Sequence, residues 1–209
     1  KSIQRHLHEF LDELAQGETF EPLTSGAVTH ARAKLKESAF TELNRDCVLP
    51  TFYGPEHPIQ RWRGHRLLGV DSSLVRLPES QELGQTFGWK EASNQHGSTG
   101  TRYPEARLSV VYDLLNRIGL DARLEPSTVG EVALALQQLE HLQPGDAEVN
   151  DRGFTGYLYL ASVSQRGRHF IGRCSTGSFL AAQEMFRLNQ ANQSKVVWLF
   201  APPDQKAEC

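Results

Sequence analysis

Two short stretches eighty positions apart constrain this chain more than anything else in it. The first, Arg66-Leu67-Leu68-Gly69-Val70-Asp71-Ser72-Ser73, runs apolar and uninterrupted up to Asp71. A strand buried on both faces reads this way, whereas a half-exposed strand alternates. Residues 66–73 are therefore expected to form the central strand of a sheet, with Asp71 where that strand emerges at its carboxyl end. The second stretch, Ala147-Glu148-Val149-Asn150-Asp151-Arg152-Gly153-Phe154, repeats the grammar: a brief strand-like run ends on Asp151 and a helical pattern follows. Two carboxylates at two strand ends can share a metal.

The distribution of charge fits such a site better than the net charge does. The whole chain is −3, which argues against a generic polyanion binder. Residues 71–151, however, carry six basic groups against thirteen acidic ones, and residues 152–199 carry six against one. An acidic centre beside a basic flank suits a metal site next to a phosphate-binding surface. That flank contains Arg152, Arg166, Arg168 and Arg173. No apolar run approaches the ~18 residues of a membrane span, and no signal peptide precedes the amphipathic opening, so the expectation is a cytoplasmic protein. Cys47, Cys174 and Cys209 are isolated and odd in number, which indicates neither a disulfide framework nor a zinc site.

Taken in order, the chain starts with Ile3, Leu7, Phe10, Leu11 and Leu14 at helical spacing, closed by Gly17. Thr24 or Ser25 is an N-cap for a second helix with Val28, Ala31 and Leu35 on one face. A third helix turns Phe40, Leu43 and Cys47 inward. Arg32, Lys34 and Lys36 on such a helix pair suit a DNA contact, with a plain helical packing layer as the alternative. Pro50, Gly54, Pro55, Pro58 and Gly64 end this helical section, giving residues 1–48 as helical and 49–64 as a linker. Within the linker, Arg61-Trp62-Arg63 interleaves cation and aromatic, which either grips a nucleic-acid backbone or anchors Trp62 on the next domain.

Beyond Asp71, Ser72–Leu77 reads as a second strand with Leu74 and Leu77 inward, and residues 78–104 as one long loop around the polar 93–98 segment. Residues 107–115 and 118–124 form a hairpin joined at Asn116-Arg117, and Glu131–Leu142 is an amphipathic helix closed by Pro144-Gly145. After Asp151 come a helix over 157–164 and a strand over 168–173.

Strand with Asp, hairpin, helix, strand with Asp, helix, strand is the order of a ribonuclease-H-like α/β domain. The residues sharpen this. The chain resembles the insertion-sequence transposases of the DDE class in Leu68-Gly69-Val70-Asp71-Ser72-Ser73 with Arg76-Leu77-Pro78-Glu79 behind it, in Tyr103-Pro104-Glu105-Ala106-Arg107-Leu108, in Asp151-Arg152-Gly153-Phe154, and in the helix Val28-Thr29-His30-Ala31-Arg32-Ala33-Lys34-Leu35. The resemblance implies an α/β, ribonuclease-H-like mixed sheet flanked by helices over 65–174, preceded by the small helical section and followed over 175–209 by the start of a β-rich insertion. It implies that Asp71 and Asp151 are the first two catalytic, metal-binding carboxylates, holding Mg2+ with Mn2+ as substitute. The implied partners are double-stranded DNA, as transposon ends and target, and a second copy of the full-length protein, with no membrane. Arg32, Arg61, Arg63, Arg152, Arg166, Arg168 and Arg173 are the expected DNA contacts.

The family's third carboxylate, a glutamate on a late helix within a Tyr, Arg, Glu, Lys signature, has no match. Glu184 has no tyrosine before it and comes ahead of the strand-like Lys195–Phe200, so the expectation is a chain truncated before that glutamate. Two alternatives stand beside the transposase reading: a DNA-binding remnant without chemistry, and a metal-dependent nuclease completed by Asp113, Glu148 or Glu184.

Overall fold

A computed structural model of the chain describes residues 3–15, 24–95, 97–188, 190 and 194–201. Gly17, His96 and Cys209 lie outside the described residues. The chain divides into two units, Lys1–Phe52 and Tyr53–Cys209. No helix among the described residues is long and apolar enough to cross a membrane.

The first unit is helical: α1 (Ile3–Ala15), α2 (Ser25–Lys34), α3 (Ser38–Leu43) and α4 (Leu49–Phe52). Thr24 caps α2, its hydroxyl accepting from the Ala27 N–H at 3.1 Å. A π-helical turn, Asn44–Val48, joins α3 to α4. The helical run thus passes through Pro50, where composition ends it; Pro50 lacks an N–H and falls just after a turn that already interrupts the regular ladder. Phe40 and Leu43 are 68% and 55% exposed, and Cys47 is also exposed. They do not point inward as expected, because helical periodicity reveals an apolar stripe without revealing what covers it.

The second unit holds the sheet. Its strands are β1 (Leu67–Arg76), β2 (Trp89–Asn94), β3 (Gly97–Asp113), β4 (Ile118–Pro126), β5 (Ala147–Asn150) and β6 (His169–Gly172). β1 is central: it runs antiparallel to β3 and parallel to β5, which runs parallel to β6, while β4 and β2 both pair antiparallel to β3. Helices α5 (Gln81–Phe87), α6 (Glu131–Gln138), α7 (Tyr157–Gln165) and α8 (Leu180–Leu188) complete the unit. The element order implies a mixed sheet flanked by helices, and that is what the second unit is. The hairpin at Asn116-Arg117 is present as β3–β4, and Arg117 takes the positive φ of 58° that the turn requires.

The core lies on one face of the sheet. Leu68 and Val70 of β1, Val111 of β3 and Leu120 of β4 meet Ala135 and Leu139, and Tyr159, Leu160 and Val163 of α7 close the layer. β1 therefore alternates: Leu68 and Val70 are buried, whereas Leu67 and Gly69 on the other face are only half-buried. The expectation of burial on both faces fails because α6 and α7 pack on the same side.

Three further expectations are corrected. Ser72–Leu77 is no separate strand, since β1 continues unbroken to Arg76 along β3, and Leu74 is 51% exposed. Residues 78–104 are no loop: α5 is capped by Ser80, and β2 and the first half of β3 form a two-stranded ribbon. Gly84 of α5 is buried under the Trp89 ring, where a Cβ would come within 2.0 Å of the indole. The ribbon's polar residues give no apolar alternation to find in the sequence. Lys195–Phe200 is not a strand; it has no pairing partner among the described residues, and Val196, Trp198 and Phe200 are more than 80% exposed.

One buried ion pair fastens the sheet at its amino end. The Arg66 guanidinium donates from Nε to Asp146 Oδ1 at 2.8 Å and from Nη2 to Oδ2 at 2.6 Å, with side chains 5% and 4% exposed. The Ala147 N–H donates to the Arg66 carbonyl at 2.9 Å, so the pair sets the start of β5 against the start of β1.

Candidate active site

Asp71 is not the last residue of its strand, as the apolar run suggests; it lies where β1 loses its parallel neighbour. The β1–β5 ladder pairs Leu67 with Ala147, Leu68 with Glu148 and Gly69 with Val149, and stops there. Its offset is a constant eighty residues, so continuing the same register sets Asp151 opposite Asp71. Alternation along both strands puts the two on the Gly69 and Val149 side, away from the core. Both are exposed. Asp151 follows β5 and opens a single 3-10 turn, Arg152–Phe154, in which the Phe154 N–H donates to the Asp151 carbonyl at 3.1 Å. Phe154 inserts into the core, which fixes the turn and leaves the Asp151 carboxylate outside.

No third His, Cys, Asp or Glu joins this pair into a metal-holding group among the described residues. The alternative acids are occupied elsewhere. Asp113 is fully buried opposite Leu68, at the far end of the strand, where it accepts from the Tyr53 hydroxyl, the Leu115 and Asn116 N–H groups and the Asn116 side chain. It builds the hairpin turn. Glu184 on α8 pairs with Lys195 at 2.8 Å.

Glu148 is fully buried on the core side, where the Tyr159 hydroxyl donates to its Oε1, and its Oε2 has no partner among the described residues. Burial pushes its carboxyl above the usual glutamate value of 4.5, against the smaller opposing effects of Tyr159, Asn150 and Arg168. The folded state therefore holds this proton more tightly than the unfolded chain. The stability Glu148 contributes is complete below pH 4.5 and declines as pH rises through the raised value. Denaturant titrations from pH 4.5 upward should show that decline and should show it flattened in Glu148→Gln; parallel curves for the two proteins would refute the assignment.

Strand polarity separates the arginines of the basic flank. Arg152 and Arg173 follow β5 and β6 at the carboxyl ends of the parallel strands, and Arg173 Nη1 lies 3.7 Å from Asp151 Oδ1. Arg166 and Arg168 lie at the other end. Arg166 Nη1 donates to the Ser162 carbonyl at 2.9 Å at the end of α7, and Arg168 donates to the Leu142 carbonyl ahead of β5. Arg168 is half-buried, and burial pulls its guanidinium below the ordinary value. Arg61 and Arg63 flank Trp62 before β1, with the Arg63 guanidinium 5.0 Å from the indole centroid and Arg61 Nη1 donating to the Gly64 carbonyl at 3.3 Å. Arg32 lies exposed in the last turn of α2, in the first unit.

Comparison with known proteins bears on the same residues. A family model described as the transposase DDE domain matches residues 62–199, a span that includes both aspartates. A putative transposase of Escherichia coli, InsZ, is 26% identical over 152 residues, 71% of this chain and 49% of its own length. The chain thus spans about half the length of this curated relative. Among solved structures, a Mos1 transposase paired-end complex with the left transposon end covers 90% of this chain and 65% of its own, at 14% identity and a TM-score of 0.34. A Mos1 mariner paired-end complex with Mn gives 14% identity and 0.35, over 90% and 61%. With the family model covering most of the chain and both aspartates inside it, this chain belongs to the transposase DDE domain family.

Proposed function

We propose that this chain carries part of the catalytic domain of a DNA transposase, in which Asp71 and Asp151 hold a divalent cation for hydrolysis and strand transfer at transposon ends. The observation that supports this most is the register of β1 and β5, whose offset of eighty residues, continued two positions past the last observed pair, sets Asp71 opposite Asp151. The donor set fits magnesium, or manganese in its place: two exposed carboxylates offer hard oxygens, and the Arg173 guanidinium already attends Asp151 as a cation. Such an ion, when bound, activates the attacking oxygen and draws charge from the phosphate. The chain's own groups do the rest. Arg152 and Arg173 bring the DNA backbone to the acidic end of the strands, and the core-inserted Phe154 keeps Asp151 in place. The substrate is double-stranded DNA, and joining two ends calls for two copies of the full-length protein.

The test is metal-dependent stabilisation. A ligand that binds only the folded state stabilises it by about 2.7 kcal/mol at a hundred times its dissociation constant. Manganese should raise the melting temperature of the wild type, and both Asp71→Asn and Asp151→Asn should abolish the rise. An equal rise in the variants would remove the pair from the metal site. DNA binding that persists with no metal response in any of the proteins would favour the non-catalytic remnant.

A further inference from the structure

The hydrogen-bonded ladder between β1 and β5 stops at Gly69 and Val149, two residues short of Asp71 and Asp151. Something other than the ladder must fix the spacing of the two segments that carry them. On the core side of the sheet one carboxylate touches both. Glu131, the first residue of α6, accepts from the Ser72 hydroxyl at Oε2, 3.3 Å away. Its Oε1 lies only 2.8 Å from where a Cβ on Gly153 would stand. Ser72 adjoins Asp71, and Gly153 is the second residue after Asp151.

Arg107 braces the surroundings of Glu131 rather than the carboxylate itself. From β3 its Nη1 donates to the Ser72 hydroxyl at 3.0 Å, and its Nε donates to the Val129 carbonyl at 2.8 Å, just ahead of α6. The start of α6, β1 at Ser72 and β3 at Arg107 are thereby tied together. The other side of the Glu131 carboxylate rests on the turn after Asp151, where only glycine leaves it room. A strand presents successive side chains to opposite faces, so Ser72 reaches Glu131 on the core side while Asp71 faces out.

From this geometry we infer that Glu131 is a positioning residue of the aspartate pair. It sets the distance between the two carboxylates through Ser72 and Gly153 without ligating the metal itself. The inference rests on the reading of Asp71 and Asp151 as a metal site. A simpler role for Glu131 is an acid at a helix start, favourable to the helix dipole and nothing more. The two roles differ in what Gly153 does. On the helix-start reading the contact with Gly153 is incidental; on ours, filling that space displaces the carboxylate and disturbs the pair. Gly153 does not adopt a positive φ, and the group a methyl would meet is the end of a flexible side chain, so Gly153→Ala is tolerated by the fold.

The experiment measures Mn2+ affinity by calorimetry for the wild type, Glu131→Ala, Glu131→Gln, Gly153→Ala and Asp71→Asn, with the metal-free melting temperature of each as the check on folding. Loss of a group that orients metal ligands weakens affinity by roughly 10–100-fold. Glu131→Ala and Gly153→Ala should each fall in that range while melting close to the wild type without metal. Glu131→Gln keeps the length and an acceptor oxygen for Ser72, and should bind within about threefold of the wild type. Wild-type affinity in both Glu131→Ala and Gly153→Ala overturns the inference and leaves the metal site standing if Asp71→Asn has lost binding. A Glu131→Gln variant as weak as Glu131→Ala also overturns it, because the charge would then act directly on the ion. No binding by the wild type, or full binding by Asp71→Asn, overturns the metal reading and this inference with it.

Discussion

Replacing Asp146 with alanine should lower the unfolding free energy by about 3–5 kcal/mol, more than any exposed ion pair in the molecule could account for. The substitution leaves the Arg66 guanidinium buried at the amino end of β1 without its two charge-assisted hydrogen bonds, and the Gln143 N–H loses the Oδ2 it donates to at 2.6 Å. The Tyr53 ring, 4.9 Å from the guanidinium, cannot replace a carboxylate. Removing both charges should cost less than removing one: Arg66→Met combined with Asp146→Leu leaves no ion uncompensated, and apolar replacement of a buried pair is often close to neutral. Urea denaturation of the two single variants and the double variant reads this directly. A loss below about 1 kcal/mol for Asp146→Ala would mean that water reaches the pair.

That ion pair also marks a limit of the sequence. Arg66 and Asp146 precede the two strands at the same offset as the rest of the ladder, yet pairing is not visible until the strands are known to be neighbours. What was legible was local. The strand-like run ahead of each aspartate, the Asn116-Arg117 turn, the Thr24 cap and the periodicity of α6 each depend on a few adjacent residues, and the structure has all of them. What was not legible depends on partners distant in sequence. Burial of β1 on one face only follows from where α6 and α7 pack. The ribbon of β2 and β3 rests on backbone hydrogen bonds, to which periodicity is blind. Gln138, fully buried, accepts from the Ser109 hydroxyl at 2.6 Å and donates to Asp121 at 2.9 Å. A polar residue in a helix pattern reads as surface until its partner is found. In the site, the order of residues singles out Asp71 and Asp151 because in each case an acid closes a short strand-like run. Glu131 opens a helix like many other acids, and its contacts with Ser72 and beside Gly153 have no signature.

The basic flank is a single stretch in sequence and two places in the fold, and DNA binding should tell them apart. If DNA lies at the acidic end of the parallel strands, Arg152 and Arg173 contact its phosphates, whereas Arg166 and Arg168 are separated from it by the length of β6. Four strand residues span about 13 Å, longer than the ~10 Å over which exposed charges are felt at 0.1 M salt. Arg173 is free to turn to a phosphate, because its pairing with Asp151 is exposed on both sides, 81% and 59%, and such pairs are worth ~0–1 kcal/mol. Arg168 is already committed to the Leu142 carbonyl. Each neutralised phosphate contributes roughly −0.9 to the slope of log affinity against log salt, or nearly tenfold in affinity at 0.1 M. Arg152→Ala with Arg173→Ala should therefore flatten the slope by about 1.8 and weaken binding by somewhat under a hundredfold. Arg166→Ala with Arg168→Ala should leave the slope within about 0.3 of the wild type's, less than half of one phosphate contact. Fluorescence anisotropy on a short duplex between 50 and 200 mM salt separates the cases. Equal losses from the two pairs would mean that DNA runs along the α7 side of the molecule, and the aspartate end would then no longer be where it is held.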